Sequence, residues 1–171
     1  MSWQKEIDEL KHRESLAKKM GGAERIKRQH DNKRLTVRER IEGLVDKNSF
    51  HEIGALAGKA DYDAEGKLKN FVPSNFVLGT ANISGRRVVI GGDDFTVRGG
   101  AADAKVGDKS GHGERYALEM RLPLIRLVDG SGGGGSVKTL EMAGHSYVPA
   151  LKGLETTMQL MGVVPVICAC M

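Results

Sequence analysis

Residues 75–100 read NFVLGTANISGRRVVIGGDDFTVRGG, and this stretch decides the fold of the chain. Two apolar runs, 75–83 and 86–91, flank Ser84-Gly85, a pair typical of a tight hairpin turn. The second run continues into a glycine-rich turn that ends at Gly99-Gly100. Glycine accepts positive φ and lets another group approach bare main-chain N–H donors. The stretch therefore predicts a hairpin whose second strand leads into a backbone-lined site for an anion or a polarised carbonyl.

A second glycine-rich turn, residues 130–135, directly follows the apolar strand predicted at 124–128. Its letters GSGGGG satisfy the pattern G-x-G-x-x-G, but the next predicted strand carries no acidic residue to hold a ribose. A phosphate-binding P-loop is disfavoured because Val137, not glycine, precedes Lys138-Thr139. A flexible surface loop of Gly and Ser remains an alternative.

The remaining pattern alternates helices and strands. A capping box, Thr36 with Glu39, begins a helix that buries Ile41. The other predicted elements are helices at 3–20, 23–30, 109–121 and 150–161, strands at 50–53 and 163–169, and a polar surface loop at 58–74. This order predicts an α/β fold.

Composition favours a soluble globular protein, with 40% hydrophobic and 28% charged residues among 171. The whole net charge of +4 lies in residues 1–50. Acids and bases alternate there, which indicates solvated helix faces rather than a nucleic-acid-binding arm. No secretory signal or membrane span is expected, since the apolar stretch 160–171 is too short to cross a bilayer. We therefore expect a cytoplasmic protein without nucleic-acid or membrane partners.

The ionisable side chains show no spacing that predicts a catalytic acid, base or nucleophile. The five histidines lack metal-ligand spacing, so no metal is expected. Cys168 and Cys170 are interpreted as reduced core thiols. Structural capping is the interpretation of Asp93, Asp94 and Asp129. Main-chain donors at the two glycine turns would suit an enolate or a thioester oxyanion.

Five ordered segments resemble the carboxyltransferase (β) subunits of biotin-dependent acyl-CoA carboxylases, such as propionyl-CoA and methylcrotonyl-CoA carboxylase. Residues 32–41 are similar to the family's K-L-T-A-R-E-R-I, and residues 46–52 to D-x-x-S-F-x-E. Residues 79–86 resemble G-x-x-x-I-x-G-R, residues 94–100 match D-F-T-V-x-G-G, and residues 129–133 are similar to D-S-G-G. The resemblance covers nearly the whole chain.

The resemblance implies a crotonase-like fold of stacked ββα units, present here as an incomplete first half after an N-terminal helical segment. Residues 1–48 would be that segment, and 49–171 the front part of the N-terminal carboxyltransferase domain. The family moves a carboxyl group from biotin to the α-carbon of an acyl-CoA. The expected partners are acyl-CoA, a biotin carboxylase or biotin carrier subunit, and further carboxyltransferase subunits. A mitochondrial matrix location would suit a eukaryote, although no transit peptide is seen.

Site residues carry over from the matching motifs. The acyl-CoA pocket wall would be formed by Phe95, Thr96, Val97, Gly99 and Gly100. The coenzyme A pantetheine would lie beside Ser131, Gly132, Gly133, Gly134 and Gly135. This second turn lacks the arginine of the family's D-S-G-G-A-R. The oxyanion-hole glycines would fall beyond Met171, so these 171 residues are predicted not to catalyse carboxyl transfer alone.

Two other functions remain open. A biotin-dependent malonyl- or methylmalonyl-CoA decarboxylase would run the same chemistry in reverse. A non-catalytic coenzyme A-binding or assembly module would associate tightly with full-length partners and show no turnover.

Overall fold

A computed structural model describes residues 2–101, 108–130 and 153–171, together with Val137, Leu140, Glu141 and Gly144. The helices are α1 (Gln4–Lys18), α2 (Ala23–Asp31), α3 (Val37–Leu44), α4 (Lys109–Met120) and α5 (Leu154–Met161). The strands are β1 (His51–Glu52), β2 (Gly58–Tyr62), β3 (Leu68–Pro73), β4 (Phe76–Ile83), β5 (Arg86–Asp93), β6 (Leu124–Val128) and β7 (Val166–Cys170). Among the described residues, no helix combines the length and apolar composition that crossing a bilayer requires.

The main sheet has five strands in the order β1-β4-β5-β6-β7. β4 and β5 form the predicted hairpin, in which Ile83 pairs with Arg86 across Ser84 and Gly85. Both turn residues have positive φ, 49° and 76°, as a two-residue turn that matches the twist of the strands requires. β5, β6 and β7 run parallel to one another. Their carboxyl ends therefore meet at one edge of the sheet, where residues 94–100 and 129–130 leave it.

Side chains of β4 and β5 are buried on both faces of the sheet, which explains their continuous apolar runs. One face packs against α3 through a cluster of Val37, Ile41, Val77, Ala81, Val88, Ile90 and Leu127. The other face packs against α4 and α5 through Phe76, Leu78, Val89, Ala117, Leu124, Leu160 and Val164. Helices therefore cover both faces of the central strands.

The N-terminal helices and the sheet share one hydrophobic core, because Val37 and Ile41 of α3 contact residues of β4, β5 and β6. The division into segments 1–48 and 49–171 stays a prediction. What the structure adds is that the end of the first segment is packed against the second.

The capping box that begins α3 is confirmed. Glu39 N donates to Thr36 Oγ1 at 3.4 Å, and Thr36 N donates to Glu39 Oε2 at 2.7 Å. The ring nitrogen Nε2 of His30 lies 3.0 Å from both carboxylate oxygens of Glu39. The main-chain hydrogen bond from Thr36, followed by that of His30, lowers the pKa of Glu39. This box fixes the start of the helix that carries Arg38 and Arg40.

The expectation of a polar surface loop at residues 58–74 was wrong. β2 and β3 form an antiparallel hairpin there, with Gly58 opposite Pro73. The turn is held by Asp63 Oδ1, which accepts from Glu65 N and Lys67 N at 3.1 and 2.7 Å. Phe71 is the buried residue of this hairpin. The two strands could not be predicted from the sequence, because most of their side chains face solvent and their composition is therefore polar.

The expectation of buried thiols and a buried last strand was also wrong. Cys168 and Cys170 are exposed, and Ile167 on the same strand is 53% exposed. β7 lies at the edge of the described sheet and pairs only with β6. An apolar strand at an edge is covered by fewer neighbours than its composition suggests.

Removing the cap hydroxyl should weaken α3. We expect Thr36→Ala to lower the free energy of unfolding by about 1 kcal/mol, because Glu39 N loses its acceptor. Thr36→Ser keeps the hydroxyl and should remain close to wild type. Urea denaturation followed by circular dichroism checks both variants; equal losses for Ala and Ser would show that the hydroxyl does not act as the cap.

Candidate functional site

The first glycine turn follows β5 and forms a tight, left-handed bend. Asp94 N donates to Asn75 O at 2.8 Å, and Val97 N donates to Asp94 O at 3.1 Å. Arg98, Gly99 and Gly100 have consecutive positive φ values of 52°, 62° and 64°. The bend returns the chain to the end of the sheet that carries the second turn.

The two glycine turns contact each other. A Cβ added to Gly100 would overlap the carbonyl oxygen of Asp129 and lie 3.1 Å from the Cα of Gly130. A Cβ on Gly130 would in turn lie 3.1 Å from the carbonyl oxygen of Gly100. The main chains of residues 100 and 129–130 therefore approach at a distance that only glycine at position 100 permits.

Thr96 joins the first turn to the N-terminal helices. Its main-chain N–H and its hydroxyl donate to Asp94 Oδ1 at 2.9 and 2.6 Å. The same hydroxyl oxygen accepts from Gly21 N at 2.9 Å, and the carbonyl of Thr96 accepts from Arg25 Nη1 at 3.2 Å. The segment between α1 and α2 is thus fastened to the turn.

Asp94 holds this arrangement from inside the protein, where its side chain is almost fully buried. Burial raises the pKa of the Asp94 carboxyl, and the hydrogen bonds from Thr96 oppose that shift. A buried carboxylate that accepts a main-chain N–H agrees with the capping role predicted for this residue.

Asp129 links the second turn to α3. Its Oδ2 lies 2.6 Å from Arg40 Nη1, its Oδ1 lies 3.8 Å from Arg34 Nη1, and its main-chain N–H donates to Asp93 Oδ2 at 3.3 Å. The side chains of Asp129 and Arg40 are only 6% and 11% exposed. Asp93 therefore accepts a main-chain N–H as predicted, whereas the carboxylate of Asp129 pairs with arginines.

A second buried charge cluster joins α3, β1 and α4. The carboxylate of Glu52 accepts two hydrogen bonds from Arg38, at 2.8 and 3.0 Å, and lies 3.8 Å from Lys109 Nζ. Burial lowers the pKa of Lys109. Within the described part of the chain, no three His, Cys, Asp or Glu side chains lie together as a metal site would require.

An open cleft of about 690 Å³ lies against the outer side of the first turn. We call it the arginine cleft. It is lined by Arg25, Arg28, Gln29, Asn32, Arg34, Phe95, Thr96, Arg98 and Gly99. Four of these residues are arginines, and none of the described lining residues is acidic. The cleft is therefore a concave, positively charged surface.

Three of the predicted site residues, Phe95, Thr96 and Gly99, line the arginine cleft. Val97 and Gly100 are buried. Ser131, Gly132, Gly133, Gly134 and Gly135 lie outside the described residues.

The arginines of the cleft were not predicted from the sequence, because residues 1–50 were interpreted as solvated helix faces. A signal was available: Arg25, Arg28, Gln29 and Asn32 recur at the i, i+3, i+4, i+7 spacing of one helix face. That face contains no acid, although acids are frequent in the surrounding segment.

Placing a methyl group between the two turns should destabilise the protein. Gly100→Ala both strains a residue with φ of 64° and overlaps Asp129 O. We expect a loss of about 2 kcal/mol or more in the free energy of unfolding. Gly43→Ala is the matched control, because no atom lies within 4 Å of its added Cβ and alanine favours helix. Equal free energies of unfolding for the two variants in urea denaturation would contradict the close approach of residue 100 to the main chain of residues 129–130.

The stability contribution of Asp94 should fall as pH rises. Its folded-state pKa lies above the ordinary 3.8, so between those two values the folded state binds more protons than the unfolded chain. Asp94→Asn keeps an oxygen acceptor but does not ionise. The free energy of unfolding of wild type minus that of Asp94→Asn should therefore decrease from about pH 4 upward and then level off. Urea denaturation at a series of pH values measures this difference; a rise with pH would disprove the assignment.

Comparisons with known proteins agree with this architecture. The chain is 30% identical over 159 residues to the propionyl-CoA carboxylase beta chain of Cereibacter sphaeroides, covering 93% of this chain and 30% of that protein. It is 29% identical to the methylmalonyl-CoA decarboxylase subunit alpha of Veillonella parvula, covering 85% of this chain and 28% of that protein. The chain thus spans less than a third of the length of these relatives.

A crystal structure of transcarboxylase 12S, with methylmalonyl-coenzyme A and methylmalonic acid bound, superimposes with a TM-score of 0.74 at 27% identity. The match covers 99% of this chain and 32% of that one. The predicted crotonase-like α/β fold is therefore confirmed. The carboxyl transferase domain family matches residues 28–171. The chain belongs to the carboxyl transferase domain family.

Proposed function

We propose that this chain supplies the acyl-CoA-binding part of a carboxyltransferase, which moves a carboxyl group to the α-carbon of an acyl-CoA such as propionyl-CoA. One observation carries the proposal: two glycine turns from parallel strands meet at Gly100 and Gly130, beside a concave cleft. The carboxyl ends of parallel strands are where open α/β sheets bind ligands. The family of the chain supports the same reading.

The described part of this site offers main-chain donors rather than an acid or a base. Gly100 N and Ala101 N already donate within the turn, each at 3.2 Å. The N–H of Gly99, which lines the cleft, has no hydrogen-bond partner among the described residues. A fixed donor aimed at developing oxygen charge contributes about 2.7–4 kcal/mol in sites where it has been measured. This chain would thus hold and orient the thioester by its backbone.

The carboxyl group would come from carboxybiotin, carried on a biotin carrier partner. When bound, carboxybiotin supplies the CO2 unit that the acyl α-carbon accepts. The described residues fit a backbone-bound carbonyl, since residues 99, 100 and 130 are glycines, which present main chain rather than bulky side chains. They do not include a set of ligands for a metal.

The proposed partners are a biotin carboxylase or biotin carrier subunit and further carboxyltransferase subunits, in the cytoplasm or in a mitochondrial matrix. The transcarboxylase 12S structure describes a hexamer assembly, which supports an oligomer. We further propose that these 171 residues bind acyl-CoA without turnover, because they cover only about 30% of a relative's length.

Decarboxylation of malonyl- or methylmalonyl-CoA is the second candidate function. The identity to the Veillonella parvula decarboxylase subunit, 29%, is close to that of the propionyl-CoA carboxylase chain, 30%. The two directions need the same binding of the acyl-CoA thioester, so the geometry of the turns serves either.

Calorimetric titration of the 171-residue chain tests the proposal. We expect saturable binding of propionyl-CoA or methylmalonyl-CoA and no heat with NAD, because the second turn lacks the acidic partner a ribose needs. When the chain and propionyl-CoA are incubated with carboxybiotin whose carboxyl group is labelled, no labelled acyl-CoA product should form.

Three results would contradict this reading. NAD binding in place of acyl-CoA would favour a nicotinamide site. Tight association with a full-length carboxyltransferase, without any acyl-CoA affinity, would favour an assembly module. Measurable carboxylation of propionyl-CoA by the chain itself would overturn the predicted lack of turnover.

A further inference from the structure

We propose that a small cavity behind the first glycine turn binds one water molecule, which joins the carboxylate of Asp94 to the buried charge cluster of α3, β1 and α4. We call it the water cavity. The proposal concerns the interior of the chain and does not depend on the function proposed above. It makes Ser74 a positioning residue for Asp94 and, through Asp94, for the turn.

The size of the water cavity fits a single water molecule. The space in it that is open to a water-sized sphere is about 10 Å³. One ordered water needs about 10–15 Å³ by the same measure. The polar residues of the lining are Arg38, Glu52, Ser74, Asp94 and Lys109, and the rest of the lining is apolar. The cavity therefore has room for one small polar molecule next to several groups that can bind it.

Two buried polar atoms of the lining residues have no hydrogen-bond partner within the described part of the chain. They are the hydroxyl oxygen of Ser74, a residue that is 6% exposed, and Nε of Arg38. The other two guanidinium nitrogens of Arg38 donate to Glu52, so its Nε–H remains available as a donor. Buried polar groups in folded proteins are nearly always satisfied by protein or by ordered water. One water molecule could bind both atoms.

Asp94 and Lys109 bring two further hydrogen-bonding groups to the water cavity. Both hydrogen bonds described for the Asp94 carboxylate go to Oδ1, which leaves Oδ2 as an acceptor. Lys109 Nζ lies 3.8 Å from Glu52 Oε1, which is longer than a hydrogen bond. Burial raises the pKa of the Asp94 carboxyl and lowers the pKa of the Lys109 ammonium. The surroundings therefore do not fully replace the hydration that these two charges lose.

The balance of charge favours water over an ion. Two basic side chains, Arg38 and Lys109, and two carboxylates, Glu52 and Asp94, line the water cavity, so their charges cancel. A bound anion would face both carboxylates, and a bound cation would face both basic groups. A buried water makes about three hydrogen bonds. We assign these to Arg38 Nε as donor, Asp94 Oδ2 as acceptor and the hydroxyl of Ser74, which can take either role.

The bound water would connect the charge cluster to the first glycine turn. Within the described residues, neither Arg38 nor Lys109 has a direct hydrogen bond to Asp94. Asp94 accepts from the main-chain N–H and the hydroxyl of Thr96, at 2.9 and 2.6 Å. A water that fixes the carboxylate of Asp94 therefore also fixes Thr96. Through this one molecule, α3, β1 and α4 help to position the turn.

A crystal structure of the 171-residue chain tests the water directly. We expect electron density for one ordered molecule within about 3.2 Å of Asp94 Oδ2, Arg38 Nε and Ser74 Oγ. Crystals soaked in sodium bromide should give no anomalous signal at this place. A bromide peak would identify an anion site instead. A map that shows other buried waters but none here would identify a dry cavity. Either of these two results overturns the proposal.

Substitution of Ser74 tests its role in positioning Asp94. Ser74→Ala removes the hydroxyl, so the water is held less firmly and stabilises the charged carboxylate less. The pKa of Asp94 should therefore rise further. Ser49→Ala is the matched control, because it removes a partly buried hydroxyl that bonds to Asp46 O and Asn82 N, outside the water cavity. The pKa is measured from the chemical shift of the carboxyl carbon in a ¹³C NMR titration.

The other charges that face Asp94 are unchanged in both serine variants. They belong to Arg38, Asp129, Glu52 and Lys109. A higher Asp94 pKa in Ser74→Ala, together with the wild-type pKa in Ser49→Ala, supports the proposal. An unchanged pKa in Ser74→Ala, or an equal rise in both variants, contradicts the positioning role. If Ser74→Ala does not fold, the electron density of the wild-type crystal decides the question.

Discussion

The close approach of Gly100 to the main chain of Asp129 and Gly130 is the constraint on which the candidate site depends. It is possible because β5 and β6 are parallel neighbours, so that the chain leaves both at one edge of the sheet. The approach leaves no space for a side chain at position 100. The main chains of two turns that are distant in sequence thus lie in contact, and the sheet holds them there.

The N-terminal helices are part of this site. Thr96 accepts a hydrogen bond from Gly21 and another from Arg25, and its own main-chain N–H donates to the buried carboxylate of Asp94. On the other side, Arg40 of α3 pairs with Asp129. The turns are therefore held between the sheet and residues 21–40. This arrangement explains why a segment that looks like solvated helices in sequence contributes the charge of the arginine cleft.

Local patterns predicted much of the fold and less of the site. The hairpin at Ser84-Gly85, the capping box at Thr36 and strand β6 each follow from turn chemistry or a continuous apolar run, which are local properties. The hairpin β2–β3 was not predicted, because its polar residues do not alternate with apolar ones as in a half-buried strand. The exposure of β7 was not predicted either, because it depends on the position of that strand in the sheet. The arginine cleft combines one face of α2 with a turn some seventy residues later, as in the Arg25–Thr96 contact. Only the tertiary structure brings these residues together.

The pairing of Arg40 with Asp129 closes a loop of 89 residues. Contacts of such long range are formed only after the intervening chain has lost much of its conformational entropy, and they slow folding. The hydrogen bonds of Thr96 to Gly21 and Arg25 span 75 and 71 residues. During synthesis, residues 21–40 would therefore leave the ribosome long before their partners on the turns after β5 and β6. Completion of the candidate site is thus a late event in the folding of this chain, reached only when residues 21–40 have met the turns after β5 and β6.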